Sequence, residues 1–108
     1  MARRTAWQAT VAETATQPVP HRMDAEIVNQ RGLHARAAAK FVTVAEKFDA
    51  GVDVTHAGMT VSGHSIMGLM MLGAGRGETV TITTSGPQGP QALRALTRLV
   101  GAGFDEGD

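Results

Sequence analysis

The chain has 108 residues, of which 43% are hydrophobic and 19% charged, so it can form one small domain and is not a disordered polyelectrolyte. Ten basic and ten acidic residues give a formal net charge of zero, which argues against nucleic acid or an anionic membrane as the main partner. The absence of cysteine excludes disulfides, cysteine-ligated zinc and thiol catalysis, and it fits the cytoplasm, where we expect the protein to be.

The first 22 residues differ in composition from the rest of the chain. They contain no glycine and few large aliphatic residues. Arg3 and Arg4 suggest a targeting sequence, but no apolar segment of a secretory signal follows them, and no apolar run approaches the roughly 20 residues that span a bilayer. We predict a disordered extension over residues 1–22 and a folded domain over residues 23–108, with an organelle transit peptide as the alternative for the extension.

From Met23 onward, the spacing of apolar residues predicts four strands and three helices. Alternation of apolar and polar residues predicts strands at 23–28, 52–55, 59–62 and 78–84. Apolar residues at three- and four-residue steps predict helices at 35–48, 66–72 and 92–100, and Ser65 is a suitable N-cap for the second. The order β-α-β-β-α-β-α predicts an α+β fold in which three helices cover one side of a mostly antiparallel sheet.

His34 lies where the first strand gives way to the first helix. A helix N-terminus has unpaired backbone N–H groups and the positive end of the helix dipole, and both bind anions. The dipole also disfavours imidazolium, so we expect a neutral ring with a nucleophilic lone pair. Arg36 can add a planar guanidinium for phosphate oxygens. These features predict a site that accepts and holds phosphate, although a histidine that merely caps a helix is the alternative.

Other candidates for catalysis or metal binding are sparse. His21 lies in the predicted extension, and His56 and His64 bracket the predicted hairpin without forming a short metal-ligand pair, so we expect no metal and no cofactor. The chain has no Walker loop, no Gly-x-Ser-x-Gly elbow and no paired acids at usable spacing. A phosphorylated His34 would therefore need one protein to bring the phosphate and another to take it, which describes a carrier rather than a self-sufficient enzyme.

The second predicted helix offers a docking surface for such proteins. No acidic or basic residue occurs between positions 53 and 76, and Met67, Met70 and Met71 crowd a short helix that can bury only one side. Methionine suits a surface that accepts several partners, because its side chain is flexible and polarizable. We predict docking through Ile66, Met67 and Met70, with core filling as the alternative.

The run Gly32-Leu33-His34-Ala35-Arg36, followed by Ser65-Ile66-Met67-Gly68, resembles the HPr family of phosphocarrier proteins, and the resemblance covers residues 23–108. It implies the HPr-like open-faced β-sandwich, a four-stranded antiparallel sheet covered on one side by three helices, and a monomer. It also implies that enzyme I of the phosphoenolpyruvate-dependent phosphotransferase system would phosphorylate Nδ1 of His34, and that a IIA-type domain would then receive the phosphate.

The resemblance further assigns roles to single residues. Ala35 and Arg36 would donate backbone N–H groups to the phosphate, the Arg36 side chain would neutralise it, and Asn29 would be a polar neighbour that helps to bind it. Ser65 matches the serine that an HPr kinase phosphorylates in many members, which makes such a kinase a further partner. A dianion on Ser65 would lie beside the apolar docking helix and should weaken partner binding.

Details of the chain leave the branch of the family open. Ala37 stands where many members have proline, and we expect alanine to loosen the site only slightly, because proline there merely pre-sets φ. The segments 85–88 and 103–106 look more like the nitrogen-related branch, NPr, whereas Ser65–Gly68 looks more like the sugar branch. The alternatives are a regulatory binding module of the nitrogen branch, which docks according to its phosphorylation, and a histidine-dependent hydrolase.

Overall fold

The computed structural model describes residues 20–106. Its elements in chain order are β1 (His21–Glu26), α1 (Ala35–Ala45), β2 (Gly51–His56), β3 (Met59–Ser62), α2 (Ile66–Met71), β4 (Thr79–Ser85), α3 (Gly89–Gly101) and a 3-10 turn (Gly103–Asp105). The predicted order β-α-β-β-α-β-α is confirmed.

The four strands form one antiparallel sheet in the order β1-β4-β2-β3. Ile82 of the inner strand β4 lies opposite Met23 of β1 on one side and Val54 of β2 on the other, and Val54 faces Val61 of β3. Because side chains alternate across each strand, these four apolar residues share the face that meets the helices. The threonines between them share the uncovered face, so the sheet is the open-faced sandwich that the resemblance to the HPr family implies.

The apolar stripes of the three helices cover the inner face of the sheet. The helical residues buried there are Ala37, Ala38, Phe41 and Ala45 in α1, Leu69 in α2, and Ala92, Leu93, Leu96 and Val100 in α3. All of them except Ala92 pack in one core with the buried strand residues Val52, Val54, Val80 and Ile82. Burial of each large aliphatic or aromatic side chain stabilises the fold by about 1.5–3 kcal/mol relative to exposure.

The start of β1 differs from the prediction. The sequence pattern assigned residues 21 and 22 to a disordered extension, but His21 and Arg22 pair with Thr84 and Thr83 of β4. Strand pairing uses backbone groups and does not require the apolar alternation that begins at Met23. The remainder of the predicted extension, residues 1–19, lies outside the described residues.

The end of α1 also differs from the prediction, since the helix stops at Ala45 rather than at Phe48. The Lys47 N–H donates to the Val44 carbonyl and the Phe48 N–H to the Ala45 carbonyl, which is the three-residue spacing of a tighter turn. Phe48 is therefore rotated away from the apolar stripe of α1 and is only half-buried.

Candidate functional site

The loop before α1 determines where His34 enters the helix. Gly32 has a φ of +64°, and a Cβ at this position would lie 2.5 Å from the carbonyl oxygen of Ala74, so only glycine fits without strain. The Leu33 N–H donates to the same Ala74 oxygen over 3.0 Å. These contacts attach the loop to the segment after α2 and hold His34 at the start of α1.

His34 is the N-cap residue of α1, as the sequence predicts. Its backbone is extended, and its carbonyl oxygen accepts the Ala38 N–H at 2.9 Å, but its side chain makes no capping hydrogen bond. The first amides of a helix have no carbonyl partner within the helix, and here the N-cap side chain does not satisfy them either. Ala35 and Arg36, the first two residues of α1, are exposed. An anion beside His34 can therefore reach uncapped N–H groups.

The imidazole of His34 contacts a carboxylate that sequence reasoning did not place in the site. Nε2 lies 2.5 Å from Oε2 of Glu106, which is 72 residues away in the chain. The His34 side chain is 21% exposed and the Glu106 side chain 6%. The sequence prediction for this ring included only the helix N-terminus and not this carboxylate. No local pattern in the sequence signals this contact.

Asn29 belongs to the same network, although not through a direct contact with His34. Its side chain is almost completely buried, and Nδ2 donates to Oε1 of Glu106 at 3.1 Å and to the Gly32 carbonyl at 2.9 Å. Asn29 contacts the carboxylate that holds the histidine, and its predicted role in binding phosphate stays a prediction. Asn29 thereby couples the loop conformation to the position of Glu106.

The 3-10 turn after α3 positions Glu106. Phe104 and Asp105 have φ values of 57° and 58°, which L residues rarely adopt, and the Phe104 ring is fully buried in the core. The Lys40 ammonium of α1 donates to the Phe104 carbonyl at 2.7 Å. Burial of the ring and this hydrogen bond offset the backbone strain, so the end of the chain is held against α1 with Glu106 next to His34.

The contact with Glu106 determines which ring nitrogen is available. A hydrogen bond from Nε2–H to the carboxylate favours the neutral tautomer whose lone pair is on Nδ1. Within residues 20–106, no protein group forms a hydrogen bond with Nδ1 of His34. In this tautomer, the Nδ1 lone pair is therefore available to a reactant.

Replacing Glu106 with alanine should change the tautomer equilibrium of His34. Loss of one hydrogen bond to a charged acceptor should raise the Nδ1–H tautomer about fivefold or more relative to wild type. Nitrogen-15 NMR of the imidazole, at a pH where the ring is neutral, measures this ratio, and His56 and His64 serve as internal references. An unchanged ratio in the variant would show that Glu106 does not select the tautomer.

A polar pocket of about 250 Å³ lies beside this network. It is lined by Gln30, Arg31, Arg36 and Glu106. The structure thus places the predicted Arg36 guanidinium near the Glu106 end of the site and adds Arg31, which the sequence reasoning did not single out. Two guanidinium groups at one pocket can bind the oxygens of a phosphoryl group in a planar, bidentate manner.

The apolar surface of α2 is largely exposed. Met67 is 69% exposed and Met71 68%, Ile66 and Met70 are also exposed, and Leu69 is the buried residue of this helix. The side chains of Ile66, Met67 and Met70, which are the predicted docking residues, are thus exposed to solvent. The prediction that Ser65 caps α2 is confirmed, because its Oγ accepts the Gly68 N–H at 2.9 Å.

His56 and His64 form contacts that are separate from the His34 network. His56 lies 3.3 Å from a carboxylate oxygen of Glu78, and Nε2 of His64 lies 3.2 Å from the Ala50 carbonyl oxygen. Among residues 20–106, no group of three or more His, Cys, Asp or Glu side chains could hold a metal ion. None of the helices in that part of the chain combines the length and apolarity needed to cross a membrane.

Known proteins are similar to this chain in both sequence and fold. A family model described as the PTS HPr component phosphorylation site matches residues 22–102. The chain is 47% identical over 83 residues to the phosphocarrier protein HPr of Neisseria meningitidis serogroup A. The matched segment covers 77% of this chain and 93% of the relative. It is 42% identical over 80 residues to the phosphocarrier protein NPr of Shewanella violacea. This match covers 74% of this chain and 88% of the relative.

A solved structure shows the same architecture. The crystal structure of HPr-C-His from Thermoanaerobacter tengcongensis matches with a TM-score of 0.77 and 38% identity, over 82% of this chain and 99% of that chain. His34, the exposed residues of α2 and, apart from His21 at the start of β1, the four strands lie within the matched family segment. The chain therefore belongs to the HPr family, the phosphocarrier proteins of the phosphotransferase system.

Proposed function

We propose that this protein accepts a phosphoryl group from enzyme I on Nδ1 of His34 and passes it to a IIA-type domain. The observation that carries the proposal is the contact between Nε2 and Glu106 at 2.5 Å, which leaves Nδ1 as the nucleophile beside the uncapped start of α1. Membership of a phosphocarrier family supports the same role.

The proposed transfer uses the site residues as follows. The Nδ1 lone pair of His34 forms a bond to phosphorus while the bond from phosphorus to the donor breaks, and the donor keeps that electron pair. Positive charge develops on the ring as Nδ1 gives up its lone pair, and the Glu106 carboxylate at Nε2–H stabilises that charge. The Arg36 guanidinium and the first amides of α1 bind the phosphoryl oxygens. Transfer to the acceptor runs through the same steps in reverse.

One labelling experiment tests the proposal. The full chain is incubated with phosphoenolpyruvate and enzyme I, and intact mass and phosphorus-31 NMR are recorded. We expect one phosphate per chain, labile in acid, stable in base and bound to Nδ1. Incorporation of no phosphate, or of an acid-stable phosphate, would contradict the proposal.

We propose that the partners dock on α2. A partner that receives phosphate from His34 must approach this part of the molecule, and α2 packs beside α1 with four large apolar side chains exposed. Flexible methionine side chains can adapt to the surfaces of both a donor and an acceptor, which a carrier must contact in turn.

The variant Met67→Asp should weaken binding to enzyme I about tenfold or more, since it puts a charge where an apolar side chain is buried on docking. Isothermal titration calorimetry with enzyme I measures the dissociation constant. Met59→Asp is a matched control, because Met59 is an exposed methionine of β3 outside α2. Equal affinities of Met67→Asp and wild type would show that α2 is not the docking surface.

We further propose that Ser65 is a regulatory phosphorylation site. Its hydroxyl caps α2 and lies at the edge of the apolar docking surface. A phosphate there would keep favourable interactions with the helix N-terminus, so α2 should stay folded. The added dianion would have to be desolvated when an apolar partner surface covers α2, and docking should therefore weaken.

A further inference from the structure

A groove separates α1 from α3 on the outer surface of the helical layer. It consists of two adjoining cavities of about 370 and 310 Å³, which share Val44, Leu99 and Asp105 as lining residues. We refer to them together as the α1–α3 groove. Its floor is apolar, because Val44 and Leu99 pack against the core from its outer side, and Phe48 and Ala95 extend the apolar floor of the larger cavity.

The rim of the α1–α3 groove is strongly basic. Four of the ten basic residues of the chain line it, namely Arg36, Lys40, Lys47 and Arg98, against one acidic residue, Asp105. Lys47 and Arg98 form no ion pair with any carboxylate of residues 20–106, and Lys40 donates to a neutral carbonyl. The whole chain has a formal net charge of zero, so this positive charge is concentrated locally rather than spread over the surface.

We propose that the α1–α3 groove docks an acidic amphipathic helix of a partner protein. The lining runs along α1 from Arg36 to Val44, a distance of about 12 Å at 1.5 Å per residue, and continues into the turn at Lys47 and Phe48, which suits a helix of about two to three turns. Apolar side chains at three- and four-residue spacing would cover Val44 and Leu99. Glu or Asp side chains on both flanks would lie opposite the unpaired cations of the rim.

Two other occupants fit these observations less well. A bilayer with anionic lipids would match the charge, but a flat surface cannot reach an apolar floor that lies between two helices. The chain's own first 19 residues contain Arg3 and Arg4 against a single acidic residue, Glu13, so the basic rim would repel them. The acidic helix is the occupant that matches both the shape and the charge.

This docking surface is independent of the proposed phosphoryl transfer. The groove does not include His34 or any residue of α2; it meets the phosphorylation site at Arg36, and its lining residues Lys40 and Asp105 belong to the segments that position Glu106. A protein bound in the groove would leave the exposed methionines of α2 uncovered. Binding in the groove should therefore persist in a His34→Ala variant, so failure of either proposal can be recognised separately.

The test uses a synthetic 15-residue peptide with leucine at positions i, i+3, i+4 and i+7 and glutamate on the flanks. Nitrogen-15 NMR of the full chain follows its titration, and a peptide with lysine in place of glutamate is the control. Shift changes should map to the facing surfaces of α1 and α3. The double variant Lys47→Glu/Arg98→Glu should weaken binding of the glutamate peptide about tenfold or more.

Matched variants separate charge from shape. Arg22→Glu/Arg76→Glu changes the net charge equally, but Arg22 lies on β1 and Arg76 in an exposed loop, both outside the groove, and binding should stay within about twofold of wild type. Ala95→Gln keeps a good helix former and extends a side chain into the groove, so it should also weaken binding. Far-UV circular dichroism confirms that each variant is folded.

Several results would overturn the proposal. These are the absence of peptide binding, equal binding of the glutamate and lysine peptides, equal weakening by the two double variants, and shift changes centred on α2. Binding of phosphatidylserine vesicles without binding of the peptide would assign the groove to a membrane surface instead, and it would equally overturn the proposal.

Discussion

Phosphate acceptance from enzyme I should be abolished in a His34→Ala variant, with a loss of at least about a thousandfold in initial rate. The proposed covalent bond forms on this ring, and an alanine side chain has no nucleophilic atom to replace it. The measurement is incorporation of labelled phosphate from phosphoenolpyruvate at limiting enzyme I. Alanine removes the hydrogen bond to the nearly buried Glu106 carboxylate and should lower stability, so thermal unfolding checks that the variant remains folded at the assay temperature.

His56→Ala and His64→Ala are the matched controls for that experiment. Each removes a partly exposed imidazole with a carboxylate neighbour, as His34→Ala does, but at positions on the hairpin side of the sheet. Both variants should accept phosphate at rates within about twofold of wild type, since neither ring lies in the His34 network. Retained phosphorylation of His34→Ala, or its loss in either control, would assign the phosphate to another residue.

The variant Arg36→Glu should accept phosphate about a hundredfold more slowly than wild type. The guanidinium lines the pocket beside Glu106, and replacing it removes a counter-charge for the phosphoryl oxygens and adds repulsion. Arg36 is exposed at the start of α1, where an acidic residue suits the helix dipole, so stability should not fall. Rapid-quench measurement of the phosphorylation rate at saturating phospho-enzyme I separates this effect from a change in docking.

Arg94→Glu is the control for Arg36→Glu, because it makes the same charge change at an exposed position on α3 outside the pocket. Its rate should remain close to that of wild type. Similar rates for Arg36→Glu and Arg94→Glu would show that the Arg36 side chain does not stabilise the transferring phosphate, and the backbone amides of α1 would then carry that role alone.

Much of the fold follows from patterns within short segments. Period-two alternation marks Val80 and Ile82 as one face of a strand, and the steps from Ala38 to Phe41 and Ala45 mark one face of a helix. The boundaries were less predictable. The start of β1 at His21 depends on backbone partners in β4, and the end of α1 depends on a tight turn that apolar spacing does not reveal.

In the candidate site, too, some features follow from short segments of the sequence, and others depend on contacts between distant segments. The position of His34 at a helix start follows from Gly32, Leu33 and the apolar spacing after them, so its proximity to helix amides is a local property. The exposure of α2 is also nearly local, since a six-residue helix crowded with methionine and leucine can bury only one side. Glu106 could not be foreseen, because its contact with His34 depends on a turn in which Phe104 is buried and Lys40 holds its carbonyl.

The order of the elements, the histidine at the start of α1 and the apolar character of α2 could all be predicted from the sequence, because each depends on neighbours within about one or two helical turns. The available nitrogen of His34, the contacts of Asn29 and the groove lined by basic residues of α1 and α3 become visible only in the folded chain. These features depend on contacts between segments as far apart as 72 residues, and the spacing of residue types along the sequence does not indicate such contacts.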